Sequence, residues 1–225
     1  RKAKGVFCLT RLVQQEIRKL YNREAILMAG AFSEEVFDDA HASCRDEFNI
    51  EEGTKVFLSF SRLVESKRVD LILESFAILN QSACHENRVL IIAGTGPLSD
   101  RLQRLAARLN LDKHVIFTGF VPDEKVPSLY RSSNCFVSMQ AADYNITVIE
   151  ALAQKLNVVV PKVLCFDPEI LQTGLVHRTL PNVDSLAAAM REAEISSDTA
   201  LYAEARHKEI FNRYCWDEAF DDFVN

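Results

Sequence analysis

The stretch KVFLSFSRLVESKRVDLILESFAILN, residues 55–80, decides the fold. It opens on an apolar run typical of a β-strand and closes on a segment whose apolar residues recur every three or four positions, as on the buried face of a helix. Between the two lies a short turn that carries the basic side chains of Arg62, Lys67 and Arg68. A strand, a turn and a helix in this order predict the first unit of an α/β sheet.

The same alternation continues through the rest of the chain. The apolar run RVLIIAG at 88–94 is followed by the amphipathic segment LSDRLQRLAARLNL at 98–111 and then by HVIFTGF at 114–120. Nearly continuous runs of Val, Ile and Leu are typical of strands covered by helices on both faces. We therefore predict an α/β fold with a doubly wound, parallel, Rossmann-like sheet. Further strands are predicted at 134–139 and 157–161, and further helices at 147–155, 183–193 and 200–213.

The first fifty residues differ in character from the rest. A strand, a helix and a strand are followed there by a polar, charged connector. We interpret residues 1–50 as the tail of a preceding domain plus a linker, residues 51–213 as the main domain, and residues 214–225 as a closing helix that carries Trp216. The chain begins with Arg1 rather than Met, so we expect it to be part of a longer protein.

Composition limits the classes of function. A formal net charge of -6 argues against a protein that neutralises a nucleic-acid backbone or an anionic membrane surface, so any anion site must be local. The 6 cysteines are widely separated, which indicates reduced thiols rather than a disulfide framework or a metal site. No apolar run approaches the length of about 20 residues that a bilayer-spanning helix needs, and no signal peptide is apparent. We therefore expect a cytoplasmic protein that binds no nucleic acid.

The turn after the first predicted strand is the first candidate site. In a doubly wound sheet, ligands bind beyond the carboxyl ends of the strands, where loops and helix N-termini meet. Arg62 and Lys67 lie at such a place, so a phosphate group there would meet two cations and exposed backbone N–H groups. The alternative is that these basic residues are only part of a solvated loop.

A second loop, AGTGPL at 93–98, places Gly94 and Gly96 between a predicted strand and a helix. Glycines at such a point permit positive φ and let a ligand approach the backbone. The third glycine of the dinucleotide-binding fingerprint is absent, so the signal is weak, and the alternative is a tight turn in which Pro97 begins the helix.

A third loop feeds the predicted helix at 147–155. Its first turn carries Thr147 and its second carries Glu150. A helix N-terminus offers N–H groups to a phosphate, and a carboxylate one turn further along can accept hydrogen bonds from a ribose diol. The alternative for Glu150 is a solvated helix residue.

These three loops, in this order, resemble the C-terminal, donor-binding half of a retaining GT-B glycosyltransferase of the group 1, or family 4, class. The resemblance is carried by Arg62 and Lys67 five residues apart, by GTGP at 94–97, by VIFTGFVPDEKVPSLY at 115–130 and by ITVIEALA at 146–153. As an ordered set the motifs are fairly specific, whereas each one alone is weak.

The resemblance implies a role for each matching residue. Arg62 and Lys67 would neutralise the diphosphate of a UDP-sugar or GDP-sugar, and Asp143 is the further catalytic candidate. No metal and no resident cofactor is expected. The partners it implies are the nucleotide sugar and an N-terminal acceptor domain, with peripheral association of the full-length protein with a membrane. The residues expected around the nucleotide are Gly94, Gly96, Phe120, Val121, Asn145, Ile146, Thr147 and Glu150.

The chain also departs from the family pattern on the side that would face the donor sugar. Ala142 stands where the family usually has the first Glu of its Glu-x7-Glu motif, and Asp143 is one residue out of register. Asn145 replaces a glycine, and bulkier residues replace the glycines in the loops at 154–157 and 165–169.

Three functions remain open at this point. The first is a transferase that moves a glycosyl group from a nucleotide donor to a saccharide, lipid-linked or protein acceptor with retention, its donor sugar held by Asp143 or Asn145. The second is a catalytically inactive nucleotide-binding or scaffold module of the same fold, and a more distant third is another GT-B enzyme such as a nucleotide-sugar epimerase. The retained phosphate and ribose positions favour the transferase, although this chain alone should bind a donor and hardly turn it over.

Overall fold

A parallel six-stranded sheet forms the centre of the computed structural model, which describes residues 4–28, 32, 42–81, 87–142, 144–196, 204–212 and 214–215. Its order is β5-β4-β3-β6-β7-β8, and a separate parallel pair, β1-β2, precedes it in the chain. The strands are β1 (Phe7–Cys8), β2 (Ile26–Leu27), β3 (Lys55–Phe60), β4 (Arg88–Ala93), β5 (Val115–Gly119), β6 (Cys135–Val137), β7 (Asn157–Pro161) and β8 (Val176–Thr179). The predicted doubly wound sheet is confirmed.

Helices cover the sheet on both faces. They are α1 (Arg11–Tyr21), α2 (Val69–Gln81), α3 (Ser99–Arg108), α4 (Val126–Arg131), α5 (Ile146–Ala153), α6 (Pro168–Leu171), α7 (Val183–Ser196) and α8 (Glu204–Asn212). Alternate side chains of β3 point to opposite faces: Val56 and Leu58 pack with α4, α5 and α8, while Phe57 packs with α2, α3 and α7. Both faces of β3 are therefore buried, which explains its continuous apolar sequence.

The structure differs from the sequence prediction mainly at the edges of the sheet. Strand β8 was not predicted, because its sequence VHRT is only partly buried at the edge and lacks a continuous apolar run. The short helices α4 and α6 were not predicted either. Most of the predicted closing helix at 214–225, including Trp216, lies outside the described residues. Its two described members are not helical, since Tyr214 lies in a turn and Cys215 forms a bridge with Phe32.

The unit formed by β1, α1 and β2 precedes the main sheet. The hydroxyl oxygen of Thr10 caps α1 by accepting a hydrogen bond from the N–H of Val13 at 3.2 Å. The unit has its own two-stranded sheet, and the predicted division into domains stays a prediction. In the part of the chain described here, no helix combines the length and the apolarity that crossing a bilayer requires.

A buried ion pair joins the start of β4 to α7. The guanidinium of Arg88 donates to both carboxylate oxygens of Glu194, with Nε to Oε1 at 2.6 Å and Nη2 to Oε2 at 2.9 Å. The two side chains are only 1% and 4% exposed. Such a two-pronged contact offsets the cost of burying both charges, and removing one partner leaves the other charge without compensation.

We expect Glu194→Gln to lower the free energy of unfolding by about 3–5 kcal/mol, because it keeps the shape of the side chain but removes the negative charge that faces the buried guanidinium of Arg88. Urea unfolding curves measure this loss. The matched control is Glu192→Gln on the exposed side of the same helix, which should change stability by no more than about 0.5 kcal/mol. Equal effects of the two substitutions would contradict the assignment.

Candidate functional site: the carboxyl edge of the sheet

The three loops singled out from the sequence meet at one edge of the sheet. The loops after β3, β4 and β5 are joined by backbone hydrogen bonds, from the N–H of Leu63 to the carbonyl of Thr95 at 2.9 Å and from the N–H of Gly94 to the carbonyl of Gly119 at 2.8 Å. The loop after β6, which leads into α5, ends at the same edge because all these strands are parallel. The predicted convergence is therefore present.

The site lies where the sheet reverses its winding. From β3 the chain proceeds to β4 and β5 on one side, and then to β6, β7 and β8 on the other. The adjacent strands β3 and β6 thus send their following loops in opposite directions, which opens a crevice between them. Arg62 and Lys67 follow β3, and the segment from Ser138 to Asn145 follows β6.

Arg62 and Lys67 form a pair of neighbouring cations. Arg62 is exposed, while Lys67 is partly buried and donates a hydrogen bond from Nζ to Oε1 of Gln140. Burial lowers the pKa of Lys67, and the positive charge of Arg62 lowers it further. No carboxylate forms an ion pair with either residue among those described. A bound anion would relieve the repulsion between the two cations.

Gly94 and Gly96 allow this basic loop to pack against the loop after β4. A Cβ atom on Gly94, whose φ is +121°, would lie 2.0 Å from the carbonyl oxygen of Ser61. On Gly96 it would lie 2.3 Å from the carbonyl oxygen of Leu63. Both distances are far shorter than any contact that real Cβ atoms make, so only glycine fits. Backbone atoms of the loop after β3 occupy the space that a side chain would fill at these two positions. That the glycines make room for a ligand stays a prediction.

Asn145 organises the N-terminus of α5. Its side-chain Nδ2 donates to the hydroxyl of Ser138 at 3.1 Å, and its Oδ1 accepts from the hydroxyl of Thr147 at 2.8 Å. No side chain caps the helix from Asn145, and the adjacent Ile146 is exposed. The first-turn N–H groups thus lie at the crevice, where a helix N-terminus favours negative charge. A role of Asn145 in holding a sugar stays a prediction, since both ends of its amide already have partners within the loop.

Glu150 lies one turn further along α5 and is held by Tyr130. The hydroxyl of Tyr130 donates to Oε2 of Glu150 at 2.8 Å and lies 3.2 Å from the carbonyl oxygen of Thr147. Burial raises the pKa of Glu150, the hydrogen bond from Tyr130 lowers it in part, and the nearby charge of Asp123 raises it. Glu150 is therefore a partly buried hydrogen-bond acceptor.

Phe120 and Val121 follow β5 at the far end of the crevice. The ring of Phe120 is 75% exposed, whereas Val121 is buried. Both line a pocket of about 420 Å³, together with Phe48 and Leu129. Their predicted backbone contacts with a nucleobase stay a prediction. Asp143, the third catalytic candidate, lies outside the described residues.

A second pocket of about 480 Å³ lies between α1 and the loops that follow β6 and β7. Arg11 contacts Asp167 across it, with Nε and Oδ1 3.4 Å apart, and the hydroxyl of Tyr214 donates to Oδ2 of Asp167 at 3.2 Å. Tyr144 and Asn145 also line this pocket. Asn145 and residues 165–168, two of the departures from the family pattern, thus face a common space.

Two residues of the site were missed in the sequence. Gln140 accepts a hydrogen bond from Lys67, which lies 73 positions earlier in the chain. Tyr130 donates a hydrogen bond to Glu150, which lies 20 positions later. A glutamine in a loop and a tyrosine in an apolar helix give no local chemical signal. Only the position of Gln140 after a predicted central strand could have drawn attention to it.

The fold matches that of solved glycosyltransferase structures of the GT-B type. A glycosyltransferase from Rickettsia africae superposes with a TM-score of 0.79 at 18% identity, covering 98% of this chain and 62% of that one. Anabaena Alr3699/HepE in complex with UDP also superposes with a TM-score of 0.79, at 17% identity, covering 99% of this chain and 63% of that one. Identities this low establish the fold alone.

The sequence places the chain in a family within that class. Residues 42–209 match the family described as "Glycosyl transferases group 1". The chain belongs to this family, which confirms the resemblance noted in the sequence.

Curated relatives share the same region. Alpha-monoglucosyldiacylglycerol synthase of Streptococcus pneumoniae is 26% identical over 164 residues, 69% of this chain and 36% of the relative. Mannosylfructose-phosphate synthase of Agrobacterium fabrum is 30% identical over 132 residues, 56% of this chain and 29% of the relative. The matched region is thus about a third of the length of these relatives.

We expect Gly94→Ala to cost about 2–5 kcal/mol in the free energy of unfolding, because the added methyl group meets the Ser61 carbonyl at a strained φ. Chemical denaturation measures the loss. The control is Gly174→Ala, whose φ is also positive but whose Cβ would meet nothing within 4 Å, so it should cost only about 1–2 kcal/mol. Equal losses would show that the basic loop can move aside.

Proposed function

We propose that this chain binds the nucleotide-sugar donor of a glycosyltransferase that acts with retention at the anomeric carbon. The observation that carries the proposal is the Arg62–Lys67 pair, which has no carboxylate partner among the described residues and lies at the reversal point of the sheet beside the N-terminus of α5. Transfer to a saccharide, lipid-linked or protein acceptor would require an acceptor half, since the matched relatives are about three times as long as the shared region.

The site suits the departure of a nucleoside diphosphate. Breaking the bond between the sugar and the diphosphate develops negative charge on the phosphate oxygens. Fixed side-chain cations and the N–H groups of a helix N-terminus stabilise such charge without having to reorganise during the reaction. Arg62, Lys67 and the first turn of α5 would supply this stabilisation. No carboxylate among the described residues pairs with either cation, so both charges stay available to the phosphate oxygens.

Glu150 would bind the ribose. It lies four residues after Ile146, which corresponds to about 6 Å along the helix axis, so one nucleotide can reach both the helix N-terminus and this carboxylate. The base would then lie near Phe120 and Val121. Both candidate donors have a precedent, since Anabaena Alr3699/HepE has a crystal structure in complex with UDP-glucose and a relative from Mycolicibacterium smegmatis is a GDP-mannose-dependent mannosyltransferase.

A second candidate is a nucleotide-binding module that has lost catalysis. The observation that favours it is Ala142, which replaces a carboxylate of the family motif, together with the engagement of Asn145 by Ser138 and Thr147. Both candidates predict nucleotide binding. Only the transferase predicts that the protein with its acceptor half consumes a sugar nucleotide, so donor hydrolysis in that longer protein separates the two.

We expect UDP or GDP to raise the melting temperature, since a ligand at about a hundred times its Kd stabilises the folded state by about 2.7 kcal/mol. For a domain of this size that corresponds to about 5–10 °C. Arg62→Ala and Lys67→Ala should each weaken binding about tenfold or more, because each removes a charge-assisted hydrogen bond. Differential scanning fluorimetry with calorimetry measures both effects.

The matched control is Arg104→Ala, which removes an exposed cation from α3. It should leave the nucleotide-induced shift unchanged. Shifts that survive both loop substitutions would place the anion elsewhere on the molecule and reject the proposed site.

Binding should also depend on pH through Glu150. Its ionised form accepts hydrogen bonds from ribose hydroxyls, and its raised pKa means that it becomes protonated earlier than an ordinary Glu as the pH falls. The affinity for UDP should therefore decrease more steeply in the wild type than in Glu150→Gln between about pH 7.5 and about pH 5. Calorimetric Kd values for the two proteins measure the difference, and protonation of the diphosphate cancels in their ratio. A constant ratio would contradict this role of Glu150.

A further inference from the structure

Tyr130 connects the ribose candidate to the core of the protein. Its side chain is fully buried. Its ring packs edge-on against Phe60, with the ring centroids 6.5 Å apart, and at a tilt against Phe136, with the centroids 5.9 Å apart. Phe60 ends β3, directly before the basic loop, and Phe136 lies in the neighbouring strand β6. The position of the Tyr130 ring is therefore determined by the two strands on either side of the crevice.

The hydroxyl is the one part of this side chain that packing does not explain. It donates to Oε2 of Glu150 at 2.8 Å, and no other hydrogen bond reaches this carboxylate from the residues that the structure describes. A buried hydroxyl is costly unless it is hydrogen-bonded, and a bond to an ionised group is stronger than one between neutral groups. The ring could pack equally well as phenylalanine. Of the two acceptors within reach of the hydroxyl, Oε2 of Glu150 at 2.8 Å is nearer than the carbonyl oxygen of Thr147 at 3.2 Å, so the hydroxyl acts on Glu150.

A glutamate side chain has three rotatable bonds and loses much conformational freedom when it is held in one orientation. The bond from Tyr130 fixes Oε2 before any ligand arrives, which leaves Oε1 as the atom that can accept from a ligand. An acceptor fixed in advance binds more tightly, because the ligand does not have to order it.

We propose that Tyr130 is a positioning residue whose hydroxyl orients Glu150 toward a ribose diol and thereby sets the preference of the site for ribonucleotides over 2′-deoxyribonucleotides. The proposal rests on the proposed function, in which Glu150 contacts the ribose. Tyr130 itself does not touch the nucleotide. It acts through Glu150, so its effect is larger for ligands that keep both ribose hydroxyls than for ligands that lack the 2′-hydroxyl.

The test compares the Kd values of UDP and 2′-deoxy-UDP for the full chain and for Tyr130→Phe. The wild type should bind UDP about tenfold more tightly than 2′-deoxy-UDP, the value of one hydrogen bond to a charged acceptor. In Tyr130→Phe this ratio should fall to about threefold or less, while the Kd of 2′-deoxy-UDP changes by no more than about twofold. A loss that affects both nucleotides equally would indicate a merely structural role and overturn the proposal.

A matched control removes another tyrosine hydroxyl that donates to a carboxylate. Tyr214→Phe breaks the hydrogen bond to Asp167 and should leave the ratio between the two nucleotides unchanged. A ratio that falls equally in this variant would also overturn the proposal, because the effect would then not be specific to Glu150.

Glu150→Gln provides a second, independent variant. It should reduce the ratio by itself, and adding Tyr130→Phe to it should reduce the ratio no further, because residues in one hydrogen-bonded chain are not additive. Full additivity, or an unchanged ratio in Glu150→Gln, overturns the proposal even if Tyr130→Phe is too unstable to measure.

If the wild type binds neither nucleotide, the proposed function itself fails. If it binds both equally, nucleotide binding stands and only the role of Tyr130 and Glu150 is rejected.

Discussion

The close approach of two backbone segments underlies the whole site. The carbonyl groups of Ser61 and Leu63 occupy the space where Gly94 and Gly96 would carry side chains, so the loop after β3 rests directly on the loop after β4. Backbone hydrogen bonds then fasten the second loop to the end of β5. Because the contact is made by main-chain atoms, the position of the basic loop does not depend on flexible side chains.

This rigid support carries an electrostatic cost. Arg62 and Lys67 repel each other, and Lys67 is partly desolvated. Its hydrogen-bond partner Gln140 is neutral, so the positive charge is oriented without being cancelled. The chain has a formal net charge of -6, so the positive charge at this site is local. It exists because the folded loop brings Arg62 and Lys67 close together. Such a site gains most from a ligand that carries two negative charges close together.

The sequence predicted what depends on local pattern and missed what depends on contact through space. Strands such as β3 and β4 were evident in the sequence because burial on both faces requires a continuous apolar run. Strand β8 lies at the sheet edge and is only partly buried, so its sequence lacks such a run. Arg62, Lys67 and Glu150 were singled out by their residue type and by their positions next to predicted strands and helices. The partners Gln140 and Tyr130 were not, because their importance comes from which side chain they meet. Gly94 was recognised as special, but only coordinates show that backbone occupies the space beside it.

The two halves of the site are built on different physical foundations. The half proposed to bind phosphate depends on main-chain packing and on charges, and it tolerates little change at Gly94 or Gly96. The half proposed to bind ribose depends on one buried hydrogen bond between Tyr130 and Glu150. The side that would face the sugar, around Asn145, is held by short side-chain hydrogen bonds within its own loop and shares none of these supports. In the proposed function, the loop around Asn145 can therefore change in sequence while the elements proposed to bind the nucleotide keep their geometry, which would let one fold serve different donor sugars.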